Sequence, residues 1–252
     1  MESNLHKLPV MLLGATKELT QIVWETVHDS PHILRCAYMS SKAMLTRDRS
    51  PNVVKQDSKV LNVFVHGYLH DKSGWADFER RFEREKLGSI LSISLSNSTG
   101  DIRKSAEEVN RLVQHILDSG EATEVNFIGH SMGGIVASYL NENIEHGYRV
   151  RKVVTLGSPL AGTKTAVVGI SEAARQMQQN SAFLKELREK MKANTSTEYY
   201  CVAARRDQVV KPYKSCLLFD DSTRQYVAKD LGHLGLLFNS AVQDWVVRMI
   251  RS

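Results

Sequence analysis

The sequence has little with which to brace or anchor a chain other than a packed core. Its three cysteines, Cys36, Cys201 and Cys216, are odd in number and form no Cys-x-x-Cys pair. That excludes a disulfide framework and a cysteine-built zinc site, and leaves free thiols. No Pro/Gly/Ser-rich or charge-block linker divides the chain and no internal repeat stands out, so residues 1–252 are expected to form a single domain. No uncharged apolar segment approaches the length of a membrane-spanning helix. The opening MESNLHKLPVMLLGATKE has only a short apolar run behind Glu2, which argues against a secretory signal and for a cytoplasmic protein. Cations exceed acids by 33 to 28. They are scattered (Arg80 and Arg81, Arg149 to Lys152, Arg205 and Arg206), with neither a dense basic run nor interleaved aromatics, so no nucleic-acid partner is expected.

What the chain does contain, 42% hydrophobic and 24% charged residues, suits a domain with a sizeable buried core. From about residue 60 onward, short β-rich runs alternate with amphipathic stretches, the pattern of an α/β fold with a mostly parallel central sheet and helices on both faces. LNVFVHG (61–67), SILSISLS (89–96), EVNFIGH (124–130), RKVVTLG (151–157) and EYYCVAA (198–204) read as strands. Ile102, Ala106, Val109, Leu112, Val113, Ile116 and Leu117 recur every three or four positions, with Glu107, Glu108 and Arg111 on the other side. That is a surface helix capped by Asp101 and stopped near Gly120. A last helix over about 240–250 carries Val242, Trp245, Val246 and Met249. Residues 1–58 hold strand-like PVMLLGA and HILRCAYM around a helical KELTQIVWETV, without an evident place in the sheet. Residues 160–197, with the helical SAFLKELREKMKA behind a Gly- and Ala-rich loop, are expected to form a small helical cap over the site.

FIGHSMGGIVASYL holds G-x-S-x-G as Gly129, Ser131 and Gly133. The bare pattern arises by chance in about one chain in ten of this length, so its context carries the weight. It follows a strand and opens an apolar helix, where a sharp turn would lift Ser131 clear of the backbone as a nucleophile and the glycines would let strand and helix approach. The Met132 N–H then sits at a helix N-terminus, placed to stabilise an oxyanion.

With VFVHGYLHDKSGW, GHSMGG, VVTLGSPLAGT, AARRDQVV and GHLGLL in this order, the chain from about 61 to 250 resembles the α/β-hydrolase superfamily. Within it, the likeness is to bacterial serine lipases and esterases and to GPI inositol deacylase-like hydrolases. The resemblance implies that the Tyr68 N–H is the second oxyanion donor, with His66 a structural loop residue, and that the His130 side chain points away from the nucleophile. A general base working near neutral pH calls for histidine. Of nine, His233 in DLGHLGLLF best matches the family's histidine loop. Asp207 in RRDQVV gives the superfamily's chain order Ser131, Asp207, His233, with Asp220, Asp221 and Asp230 as substitutes. Gly157, Ser158 and Pro159 resemble the family's pocket-wall segment, although Leu160 and Ala161 stand where relatives often have histidine.

The expected activity is hydrolysis of carboxylic esters through an acyl-enzyme on Ser131, without metal or organic cofactor. Leu160, Phe183, Leu184 and Leu187, with Met191, are expected to line an apolar acyl pocket. The partner is then a small-molecule or lipid ester, with peripheral contact to a lipid surface as an extension. An acyltransferase or thioesterase would use the same triad, and a non-catalytic binding module could stand on the same scaffold. The oligomeric state is left open.

Overall fold

In β2 (Val60–Val65), Leu61, Val63 and Val65 alternate with Asn62 and Phe64, and both sets are buried. Period two sends successive side chains to opposite faces, and a strand buried on both is one covered by helices on both. The computed structural model describes residues 49–252 apart from Glu121 and Asp220. PVMLLGA, KELTQIVWETV, HILRCAYM and Cys36 lie outside the described residues, as does Asp220.

The other strands are β1 (Asn52–Val54), β3 (Ser89–Ile93), β4 (Glu124–His130), β5 (Arg149–Leu156), β6 (Glu198–Ala204) and β7 (Gln225–Ala228). They pair in the order β1-β3-β2-β4-β5-β6-β7. Among the described strands only β1, whose Asn52 sits opposite Ser92, runs antiparallel to its neighbour. β1 and β7 are absent from the strands expected above; both are short.

The helices are α1 (Ala76–Arg84), α2 (Ile102–Asp118), α3 (Met132–Asn143), α4 (Glu172–Gln176), α5 (Ala182–Ala193), α6 (Gly235–Phe238) and α7 (Ser240–Arg251). One face of the sheet packs Phe64, Ile128, Val154 and Val202 against Phe78 and Phe82 of α1, Leu236 and Leu237 of α6 and Val242 and Val246 of α7. The other packs Val63, Val65, Phe127 and Val153 against Val109 and Val113 of α2, Ile135 and Leu140 of α3, and Leu184, Leu187 and Met191 of α5. Asp101 caps α2 by accepting from the Arg103 N–H at 3.0 Å. Gly120 closes the same helix through Leu117 O at 3.2 Å.

SAFLKELREKMKA, expected over the site, forms α5. Its apolar stripe belongs to the same core as α2 and α3, with Leu184 and Leu187 only 1% and 2% exposed. The part of 160–197 tied to the neighbouring loops is the stretch ahead of α5. Tyr68 Oη lies 3.0 Å from Ser171 Oγ, and Thr163 Oγ1 donates to Val209 O at 2.9 Å.

The chain leaves β2 for β3 on one side and returns to β4 on the other, so the connection reverses between β2 and β4. A crevice opens at the carboxyl ends of strands at such a reversal. The residues that follow β2 and β4 are His66-Gly67-Tyr68 and Ser131.

Candidate active site

Ser131 joins β4 to α3 with φ 55° and ψ −126°. An L-residue held there costs on the order of 1–3 kcal/mol and persists only where the surroundings impose it. They do: the Ser131 N–H donates to Leu156 O at 2.8 Å, and its carbonyl accepts the Gly134 N–H at 3.2 Å. A Cβ on Gly133 would come within 2.1 Å of Val65 O, so α3 starts against the end of β2 only because that position is bare. Met132 is the first residue of α3, and the N–H groups of a helix's first turn point out along its axis without intrahelical partners.

Gly67 lies directly against this elbow, where a Cβ would sit 2.7 Å from Ser131 Cβ and 3.3 Å from its Oγ. The loop is gripped by His66. Its Nε2 receives the Leu95 N–H at 2.8 Å, and its Nδ1 is 2.8 Å from Gly67 O. An amide N–H only donates and a carbonyl only accepts, so the ring is neutral with its proton on Nδ1. Burial pushes this histidine down to about 4, in keeping with that form. Because the peptide is trans and planar, anchoring the Gly67 carbonyl also fixes the Tyr68 N–H, which points the opposite way.

Asp207 follows β6 and His233 lies between β7 and α6. Asp207 Oδ2 is 2.7 Å from His233 Nδ1, with both side chains buried. Oδ1 of the same carboxylate accepts from the Val209 N–H at 2.8 Å and the Val210 N–H at 2.7 Å. Both oxygens are satisfied, as a buried charge requires. The other acids weighed for this place and described here are elsewhere: Asp221 holds the Thr223 N–H, and Asp230 pairs with Arg206 at 2.9 Å.

The structure thus brings Asp207 to His233, and Gly67 to Ser131. Among the described residues the Ser131 hydroxyl is not hydrogen-bonded to the His233 ring. Leu160 is buried just beyond Pro159, with its N–H on Ser158 O at 2.8 Å. Phe183 stacks on Tyr139 at 5.4 Å beneath the Arg103 guanidinium. Leu184 and Leu187, 1% and 2% exposed, pack in the same core cluster as Leu160; helical spacing identifies an apolar face but not what it meets. Two contacts to His233 had no signal in the sequence: His130 reaches its carbonyl and Gln208 its N–H.

The large hydrophobic side chains exposed among the described residues are Leu69 (73%), Val167 (69%), Ile170 (96%) and Val209 (41%). Leu69 and Ile170 adjoin the hydrogen-bonded pair Tyr68 and Ser171, the Val209 carbonyl accepts from Thr163, and Val167 lies in the short 3-10 helix Lys164–Val168 between Thr163 and Ser171. No group of three or more His, Cys, Asp or Glu among the described residues is arranged to hold a metal ion, and no described helix is long and apolar enough to cross a membrane.

The same architecture occurs in solved hydrolases of low sequence identity. The mature form of a Bacillus licheniformis lipase superposes with a TM-score of 0.66 at 16% identity, over 80% of this chain and 98% of that one. An esterase from Exiguobacterium antarcticum gives 0.59 at 16% identity, over 80% and 96%. Aspergillus fumigatus lipase B gives 0.60 at 15%, over 79% of this chain and 56% of its own longer chain. These likenesses speak for the fold. Residues 51–230 match the family described as alpha/beta hydrolase of unknown function (DUF915), and over that span, well beyond half its length, the chain belongs to this family.

Proposed function

We propose that this hydrolase cleaves carboxylic esters by acyl transfer through Ser131. The observation that carries the reading is the Asp207–His233 pair at 2.7 Å, its carboxylate saturated by two further amides, beside a serine held at positive φ. With its Nδ1–H committed to Asp207, His233 keeps Nε2 as the basic nitrogen. In the substrate complex Nε2 takes the Ser131 hydroxyl proton as Oγ attacks the ester carbonyl. The oxyanion is received by the Tyr68 and Met132 amides, and the imidazolium returns the proton to the departing alkoxide. Water, deprotonated by the same nitrogen, then frees the acid and restores Oγ–H. Asp207 remains ionised throughout, orienting the ring and offsetting its transient charge. The contact between hydroxyl and imidazole forms on substrate binding, as such bonds often tighten only then.

Leu69 and Ile170, exposed beside the hydrogen-bonded pair Tyr68 and Ser171, favour an ester with an apolar acyl or alcohol portion. The test is Ser131→Ala. It is expected to abolish p-nitrophenyl ester turnover and fluorophosphonate labelling while leaving the thermal unfolding midpoint unchanged. Undiminished turnover in the variant overturns the reading.

A further inference from the structure

His130 ends β4, so it is joined through the chain to Ser131, while its ring lies against His233 with centroids 4.7 Å apart and planes at 49°. His130 Nε2 is 3.2 Å from the His233 carbonyl oxygen. That oxygen can only accept, so the His130 proton is on Nε2. Burial, and after it the neighbouring rings of His233, His70 and His66, hold this histidine well below its ordinary pKa, so the donor is a neutral ring. On the other side, the His233 N–H donates to Gln208 Oε1 at 3.3 Å. Both peptide groups of His233 are therefore bonded to side chains. The residue itself sits in a turn between β7 and α6, where no ladder would hold it.

We propose that His130 is a positioning residue for His233: its Nε2–H ties the carbonyl of the base to the strand end that carries the nucleophile. The proposal rests on the reading of Ser131 and His233 given above. Asp207 and Gln208 tie His233 to the loop after β6, and neither ties it to the nucleophile. The His130 bond adds that link, joining the backbone of the base to the strand end from which Ser131 projects. A misplacement of about 1 Å can cost on the order of a hundredfold in rate, so a bond of this kind matters to turnover more than to stability. Neutrality matters too, because a charged ring 4.7 Å from His233 would oppose the imidazolium that forms there during acyl transfer.

The test compares the full chain with His130→Phe, which keeps an aromatic ring and loses the donor, and His130→Gln, whose amide N–H can still reach the carbonyl. Two readouts are taken: kcat and KM on p-nitrophenyl acetate, and the NMR resonance of the His233 Nδ1 proton shared with Asp207, which does not depend on turnover. His130→Phe is expected to lower kcat by about 10- to 100-fold with KM within about twofold, and to broaden the Nδ1 resonance by exchange; His130→Gln should recover kcat to within about fivefold and sharpen the resonance. Where His130→Phe does not fold, His130→Asn, whose amide is too short to reach, is read in its place. Retention of both kcat and the resonance in His130→Phe overturns the proposal, and so does equal loss in the Phe and Gln variants, which marks a packing role. A wild type that neither turns over esters nor takes a fluorophosphonate, yet loses the resonance on His130→Phe, supports the tether and overturns the serine-hydrolase reading instead.

Discussion

Asp207 divides its carboxylate, giving Oδ2 to His233 Nδ1 at 2.7 Å and Oδ1 to the Val209 and Val210 amides. The two oxygens do different things. One fixes the ring and the other fixes the loop that carries the carboxylate, so orientation at the imidazole does not depend on solvent.

Asp207→Asn separates those tasks. The amide oxygen can still accept from Val209 and Val210, so the loop and the melting temperature should hold. The NH2 group then faces His233 and favours the tautomer with its proton on the wrong nitrogen. Turnover of p-nitrophenyl esters is expected to fall by about 10³- to 10⁴-fold. A loss below tenfold would remove Asp207 from the mechanism.

Gly67→Ala places a methyl 2.7 Å from Ser131 Cβ, which must push the loop and the Tyr68 amide away from the elbow. Loss of one oxyanion donor is worth about 10²- to 10³-fold in kcat, and a fall of that size is expected with KM little changed. Steady-state kinetics over an ester series would show it.

Core and rim should respond in opposite ways. Leu187→Ala empties a buried site and is expected to cost about 2–5 kcal/mol in urea unfolding while leaving acyl-length preference as it was. Ile170→Asp, at a side chain 96% exposed, should leave stability nearly unchanged and selectively lower turnover of long-chain esters. A flat acyl-length profile in wild type and variant alike would take Ile170 out of substrate binding.

Stability should weaken with acid in a window set by His66. Its folded pKa of about 4 lies below the ordinary 6.5 of an exposed histidine. Between these values the unfolded chain binds a proton that the folded chain refuses. The contribution is therefore complete above about pH 6.5 and is lost as pH falls towards 4, about 3 kcal/mol in all for a shift of this size. His130 adds in the same direction. Urea titrations at pH 7.5 and 5 should show the loss in wild type and a smaller one in His66→Gln; equal slopes would remove His66 as a source.

The five central strands and the elbow at Ser131 were readable because alternation and glycine spacing are local. β1 was not: three residues are too few to show a period, and its place comes from pairing with Ile90, Leu91 and Ser92. The stripe of α5 was readable as apolar, but helical spacing does not say what it meets, and Leu184 and Leu187 meet the core. His233 and Asp207 could be ranked by order along the chain. The bond from His130 to His233 spans 103 positions and depends on a ring choosing a carbonyl, which leaves no imprint on either neighbourhood. His66 read as structural, and its bonds to Leu95 and Gly67 explain which structure it serves.

Ser131, Asp207 and His233 follow β4, β6 and β7, while the apolar side chains at 69, 167, 170 and 209 stand on other turns or at neighbouring positions without belonging to any strand. Floor and mouth are therefore separable for protein engineering. If the proposed ester hydrolysis holds, a library confined to those four positions would vary the exposed apolar surface without touching the strands beneath, and a shift in acyl preference across it would tie that surface to the substrate.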